Sequence, residues 1–336
     1  MSDRALLAAS FLNAAGWGMA SRSYLAGDAS DRSYDRLRMA GGSAVLMDAP
    51  PGQGDDPAQF LAIAQHLSGI GLSAPQCLAQ DLINGFLLLE DLGDGVYAKL
   101  IAANPALEPQ LYTAAIDALV HLQSCAPPLD LPDLTASDWA KAAEFAVDWY
   151  AFGVTGEQAV NTDFHSVLAD LMQRHADGSR VLILRDYHAE NLLWLPERGG
   201  IAKVGLLDFQ LAQLGQPGYD LVSLLQDARR DVSGQVEVAM KARFVDLTGV
   251  ETATFEIGYA VLGAQRALRV LGVFARLCLI GGKSGYLRLI PRVWDHLQRN
   301  LATPALAPLA KICADLLPEP TPQALAQIGS KCGHFR

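Results

Sequence analysis

Two carboxylates and one carboxamide stand at the ends of strongly apolar runs. In RDYHAENLLWLP, residues 185–196, Asp186 is followed by Asn191 five positions on, and Asp208 closes a further apolar run in KVGLLDFQ. A carboxylate and a carboxamide oxygen make a hard donor set of the kind Mg2+ takes. A carboxylate left outside that set can orient and deprotonate a hydroxyl. Phosphoryl transfer needs both parts, a cation that neutralises phosphate charge and a base that positions the nucleophile. Taken singly, an acid at a strand end is a common turn former, and an Asn five residues beyond an Asp is a common spacing. The conjunction of Asp-x4-Asn, an apolar strand and then Asp-Phe is what points to catalysis.

Apolar strands on both sides of a short loop must position these groups. If Asp186 ends the VLIL run and the chain turns, a four-residue loop brings Asn191 back toward it. Asp208 then follows the second strand, so both acids are expected at one end of a hairpin. The rest of the chain falls into two kinds of sequence. Residues 33–38 and 43–48 read as strands around the turn MAGG, and CLAQDLINGFLLLED reads as two more around Asn-Gly. Between them, DDPAQFLAIAQHLSGIGL reads as a helix. Asp56 caps it, Pro57 suits its first turn, and Phe60, Ile63, Ala64 and Leu67 share a face. From about Val96 the spacing becomes helical, with the strand pair of the opening stretch as an interruption. These patterns predict an α+β chain with a break near residues 92–95.

The chain has 336 residues, 51% hydrophobic and 18% charged, enough for one large domain or two lobes. A net charge of −10 argues against a partner that is nucleic acid or an anionic membrane, though not against a small anion in a local basic pocket. No apolar run approaches the ~20 residues of a membrane span. The N-terminal segment reads as an amphipathic helix rather than a secretion signal. Five scattered cysteines without a Cys-x-x-Cys pair fit reduced thiols. A cytoplasmic location is the expectation.

The stretch 184–225, from LRDYHAENLLW through VGLLDFQLAQLGQPGYDLVSLL, resembles the phosphotransfer core of the aminoglycoside phosphotransferase family, relatives of choline and protein kinases. In element order the resemblance extends over nearly the whole chain. Within that family, LAGDASDRSYDRLR, AVLMDAPP and LLLEDLGDG look most like the bacterial anomeric kinases of N-acetylmuramate and N-acetylglucosamine used in cell-wall recycling. The resemblance implies a two-lobed protein-kinase-like fold, with a small antiparallel-sheet N-lobe over residues 1–92 and a large helical C-lobe over 93–336. It implies ATP and Mg2+, with Asp186 as catalytic base, Asn191 as metal ligand and Asp208 as the main metal ligand. It implies that Glu90, Asp91 and Leu92 form a hinge whose main chain holds adenine. Asp220 resembles the helix-start acid that braces the catalytic loop, or it is simply that helix's N-cap. His188 either orients Asp186, contacts substrate or is held by a backbone carbonyl.

Two departures from the family pattern stand out. Such kinases usually hold the nucleotide phosphates with a lysine on the third strand, but here that position is Met47, and no lysine precedes Lys99. The helix that follows has no glutamate to pair with one, and the two absences agree, because either group alone would be an unpaired buried charge. Arg32 is the first candidate for the replacing cation, then Arg36 and Arg38. The phosphate loop, AGDASDRSYDR, holds one glycine, Gly27, where protein kinases have three. The hydroxyls of Ser30 and Ser33 and nearby N–H groups can cap phosphate oxygens, or the segment is a polar hairpin turn.

A substrate carboxylate would call for arginines in the helical part. Arg229, Arg230, Arg266, Arg269 and Arg276 are available, with a solvated helix face as the favoured reading for most. Trp139, Trp149, Tyr150 and Trp294 either stack a sugar or fill the core. The expected acceptor is a small sugar. The alternatives are an amino-alcohol such as choline or an aminoglycoside, or a catalytically idle nucleotide-binding module.

Overall fold

The computed structural model describes residues 3–27, 32–52, 54, 56–159 and 163–335. By packing, the chain forms two units, residues 1–128 with 189–212, and residues 129–188 with 213–336.

The first unit begins with α1 (Asp3–Ala14), β1 (Ser21–Ala26), β2 (Ser33–Met39), β3 (Gly42–Asp48), α2 (Pro57–Gly69), β4 (Cys77–Asp81) and β5 (Phe86–Glu90). The strands form an antiparallel sheet in the order β1-β2-β3-β5-β4. Met39 pairs with Gly42, so the expected turn at MAGG closes β2 onto β3. Strand β1 adds an exposed edge that the polar alternation of SRSYLA did not announce. Alternate residues Leu37, Ala44, Leu46, Phe86 and Leu88 turn one way and bury against Ala8, Phe11 and Leu12 of α1. Truncating a fully buried member such as Leu46 to Ala would cost about 2–5 kcal/mol.

Helix α2 forms as its sequence dictates. Asp56 accepts the Ala58 N–H, Pro57 opens the helix, and Phe60, Ile63, Ala64 and Leu67 are buried. The unit also holds α3 (Tyr97–Ala103), α4 (Glu108–Ser124) and, from later in the chain, the hairpin described below. Ser73 ties that hairpin in, accepting the Leu206 N–H at 2.8 Å through its carbonyl.

The second unit contains α5 (Ala136–Ala143), α6 (Phe152–Thr155), α7 (Asp163–His175) and β6 (Val181–Ile183). The chain then crosses the first unit as β7 (Leu192–Trp194) and β8 (Val204–Leu206). It returns through β9 (Gln213–Gly215), α8 (Gly218–Leu225), α9 (Gly234–Thr248), α10 (Thr252–Leu279), α11 (Ile290–Leu301), α12 (Ala307–Leu316) and α13 (Pro322–Ser330). Helix α10 is the centre of this unit. By length and composition it could cross a membrane, yet 78% of its apolar window is buried here, as in a core helix. Gly272 lets it press close to its neighbours, since a Cβ there would lie 2.1 Å from the Phe145 main chain. All five cysteines are free.

Candidate active site

Within the first unit, β7 and β8 form an antiparallel pair with Leu192 opposite Leu206. One step beyond that pair, the Leu207 N–H donates to the Asn191 carbonyl at 2.9 Å. Asn191 and Asp208 therefore flank the same end of one hairpin, whereas the spacing suggests Asp186 and Asp208 as the pair at one end. The VLIL run takes a different partner from the one expected. As β6 it pairs with β9, residues 213–215, and not with KVGLL. The expected single strand pair is thus two separate two-stranded ladders. The short run QLG, ended by Gln-Pro-Gly, was too brief to show a period of two.

Asp208 stands in a left-handed conformation, φ 57°, which Asp tolerates better than most residues. The next residue is its anchor. Phe209 is fully buried and stacks on Phe60 of α2 with ring centroids 4.9 Å apart. Burying Phe209 inward leaves the Asp208 carboxylate outward and half exposed. Its Oδ1 accepts from Gln210 Nε2 at 3.0 Å and faces Arg32 Nη2 at 3.3 Å. Both contacts fall on one oxygen, so Oδ2 has no hydrogen bond from the described residues and is open to a cation. Among the described residues no three His, Cys, Asp or Glu side chains gather as a metal cluster. A cation at Asp208 would therefore draw most of its ligands from phosphate and water, which suits Mg2+ better than an all-protein cage.

Arg32 is buried, 5% exposed, and aims its guanidinium at Asp208. Arg36 is committed elsewhere. Its guanidinium meets Asp91 Oδ2 at 2.9 Å and Asp94 Oδ1 at 2.6 Å, and donates to the Gly93 carbonyl at 3.1 Å. Arg38 is exposed on β2. Met47 is fully buried in β3, apolar where a lysine was looked for. At Gly27, φ +155°, an added Cβ would lie 2.9 Å from the Arg32 carbonyl, so only glycine fits this approach of the two chain segments. Ser30 lies outside the described residues.

At the end of β5, Glu90 pairs with Arg198 and Asp91 with Arg36, while the Leu92 side chain packs over Gly205. The acidic side chains are therefore taken up in holding the segment. Any recognition there falls to its main chain.

In the second unit, Asp186 follows β6 in a tight bend. Its N–H donates to the Leu184 carbonyl at 2.9 Å, and the His188 N–H donates to the Asp186 carbonyl at 3.1 Å. Asp220, in the first turn of α8 and fully buried, holds the approach to this bend. One carboxylate oxygen accepts the Leu184 N–H at 2.6 Å and the other the Arg185 N–H at 2.8 Å. Of the two readings of Asp220, the brace is the one observed, because its oxygens serve the loop and not the N-terminus of α8. Burial pushes its carboxyl up to about 7, against the two main-chain donors that favour the ionised form.

His188 is buried, 3% exposed, and burial holds its imidazole down at about 3. The ring is neutral at physiological pH. Arg229 Nη1 lies 3.2 Å from Nε2, and a guanidinium only donates, so Nε2 accepts and Nδ1 carries the proton.

Two of the three arginines of α10 are turned inward rather than onto a solvated face. Arg266 is buried and donates to Ser223 Oγ at 2.8 Å, and the half-buried Arg269 donates to Tyr219 Oη at 3.2 Å. Arg266 and Arg269 are three apart on α10, and Tyr219 and Ser223 are four apart on α8, so facing helix rows match. Arg276 is exposed. Trp139 and Tyr150 are core residues, 1% and 0% exposed. Gln210 and Arg185 escaped the sequence reading, although each lies within two positions of an acid already singled out.

The profile of the phosphotransferase enzyme family matches residues 22–252. A protein of Caulobacter vibrioides named N-acetylmuramate/N-acetylglucosamine kinase is 38% identical, covering 92% of this chain and 95% of its own length. A Pseudomonas aeruginosa protein of the same name is 33% identical, covering 90% and 91%. Among solved structures, a choline/ethanolamine kinase family protein from Mesorhizobium loti aligns with a TM-score of 0.62 at 14% identity, covering 97% and 99%. That likeness shows the fold, an antiparallel-sheet part and a helical part in the kinase-like arrangement of elements.

Proposed function

The chain belongs to the phosphotransferase enzyme family, and from that membership we propose that it transfers the γ-phosphoryl group of ATP to the anomeric hydroxyl of N-acetylmuramate and N-acetylglucosamine. Asp186 is the group that orients and deprotonates the hydroxyl. Asn191 and Asp208 are the residues that would hold Mg2+, which neutralises charge on the nucleotide phosphates when bound. The observation that carries the phosphotransfer reading is Asp208 itself. Phe209 and the left-handed backbone fix it beside Asn191, with one carboxylate oxygen left open.

Arg32, aimed at Asp208, supplies the positive charge that Met47 cannot, with Gly27 and Ser30 as loop partners on the phosphates. The main chain of residues 90–92 binds adenine at the junction of an N-lobe, residues 1–92, and a C-lobe, residues 93–336. His188 keeps Arg229 in place near Asp186 rather than exchanging protons, because an imidazole buried in this way stays neutral. The acceptor assignment rests on the names of the relatives. It is supported by Arg185, Arg229 and Arg269 near Asp186, which suit an anionic acceptor, while the carboxylates there are engaged, Asp220 by the Leu184 and Arg185 N–H groups and Asp227 by the Arg229 N–H. We place the reaction in the cytoplasm, where ATP is available, as a step that recycles cell-wall sugars.

The test is ADP release with ATP and Mg2+ across N-acetylmuramate, N-acetylglucosamine, choline and an aminoglycoside. Turnover of the two amino sugars is expected. Turnover of the amines alone would overturn the acceptor assignment.

A further inference from the structure

Two arginines of the second unit are anchored on neighbouring residues of α8. The Arg185 main-chain N–H is held by Asp220 at 2.8 Å, and the Arg269 guanidinium by the Tyr219 hydroxyl at 3.2 Å. Tyr219 is itself fixed. It is fully buried, its ring packs on Trp139 with centroids 4.7 Å apart, and Gln265 Nε2 holds the Trp139 carbonyl at 2.8 Å. Arg185 has φ 71°, an uncommon conformation for a long side chain, and is kept there by Asp220.

Neither guanidinium has an ion-pair partner among the described residues. Arg269 has one neutral hydroxyl, and Arg185 Nε is buried with no hydrogen bond. The two positive groups act on one another, and burial together with Arg269 depresses the Arg185 guanidinium below its ordinary value. Asp186 acts on both electrostatically and Asp220 on Arg185, while Tyr219 and Asp186 hold the Arg269 guanidinium above its ordinary value. Both groups therefore stay charged, and neither is taken up in an ion pair among the described residues, so their donors remain available to an anion that arrives with the substrate.

We infer that Arg185 and Arg269 form the subsite for a carboxylate on the acceptor, and so set the preference for the sugar acid N-acetylmuramate over neutral N-acetylglucosamine. This rests on the acceptor assignment above and deepens it. The two sugars differ at one place, a lactyl ether that carries the carboxylate on the ring carbon two positions from the anomeric centre. Arg185 is covalently next to Asp186, so a sugar whose anomeric hydroxyl meets the base brings that carboxylate to the same end of α8 and α10. Guanidinium forks suit carboxylates, and a lysine would keep the charge but lose the two-pronged geometry.

The test is the ratio of kcat/KM for N-acetylmuramate to that for N-acetylglucosamine in the wild type, Arg269→Gln and Arg269→Lys, with Arg185→Lys as an independent variant. Losing one charged hydrogen bond to a carboxylate should lower the ratio about 10- to 100-fold in Arg269→Gln, with partial recovery in the lysine variant. The loss should fall mainly on KM for N-acetylmuramate. N-acetylglucosamine turnover monitors folding in the same sample. An equal loss with both sugars would show that the pair grips a group they share, such as the phosphoryl or acetamido oxygens, and overturns the inference. So does an unchanged ratio. A wild-type protein that phosphorylates neither sugar contradicts the acceptor assignment, and this inference with it.

Discussion

Asp220 and Arg185 meet through one hydrogen bond, carboxylate oxygen to main-chain N–H at 2.8 Å, immediately before the proposed base. The second oxygen takes the Leu184 N–H. In Asp220→Asn the amide nitrogen must face one of these donors, leaving it unmatched in a buried site. A loss of about 1–3 kcal/mol in stability is expected by urea unfolding. Because the bend before Asp186 loosens, kcat should also fall, by about 100-fold if the base moves by 1 Å. Unchanged kcat would detach Asp220 from the positioning of the loop.

Arg36 bridges β2 to the segment after β5 by pairing with Asp91 and Asp94. The Arg36 and Asp91 side chains are 8% and 6% exposed, so removing one partner strands the other. Arg36→Ala should destabilise the protein by about 3–5 kcal/mol. Arg36→Lys should not restore it, since one ammonium cannot reach Asp91, Asp94 and the Gly93 carbonyl as the planar guanidinium does. If residues 90–92 bind adenine through their main chain, KM for ATP should rise in both variants.

Much of this was legible in the residues. The α2 cap, its buried face and the turn at MAGG follow from local chemistry, and local chemistry survives folding. The apolar runs announced strands next to Asp186 and Asp208, but the pairing of LLW with VGL that sets Asn191 beside Asp208 did not follow from them. The β6–β9 ladder did not either, because three-residue strands carry too little pattern and their partners are thirty residues apart. Nor did the sequence show that Arg266 and Arg269 are drawn into the helix interior. Charge on a helix normally predicts a wet face, and only the facing Tyr219 and Ser223 reverse that.

Acid should destabilise the fold well above the carboxylate range. Burial holds His188 at about 3 and His296, beside Arg299, at about 4, against an ordinary value of 6.5. Between pH 6.5 and 4 the unfolded chain binds two histidine protons that the folded protein does not, while Asp220, pushed up to about 7, keeps one proton in the fold that the unfolded chain gives up. The histidine contribution is fully present above pH 6.5 and is lost as pH drops, and with Asp220 offsetting one ring the net slope is about 1.4 kcal/mol per pH unit. Urea midpoints at pH 7, 6 and 5 measure the slope. His296→Gln should bring it close to zero, and a wild type that gains stability as pH falls would contradict the neutral, buried state of both rings.

Placing a lysine at Met47 should harm rather than help. The site is fully buried and α2 offers no acid to pair with it. Met47→Lys should lower the melting temperature, and activity should not rise, because Arg32 already meets Asp208. Higher turnover in this variant would remove Arg32 from the role given to it.

The most direct measurement is single-turnover phosphorylation of N-acetylmuramate by the wild type and by Asp186→Asn, with ATP binding measured on the same samples. A base at Asp186 predicts a rate loss of about 100- to 10,000-fold with nucleotide affinity nearly unchanged. A variant that retains turnover within a few-fold of the wild type would contradict the account at its centre.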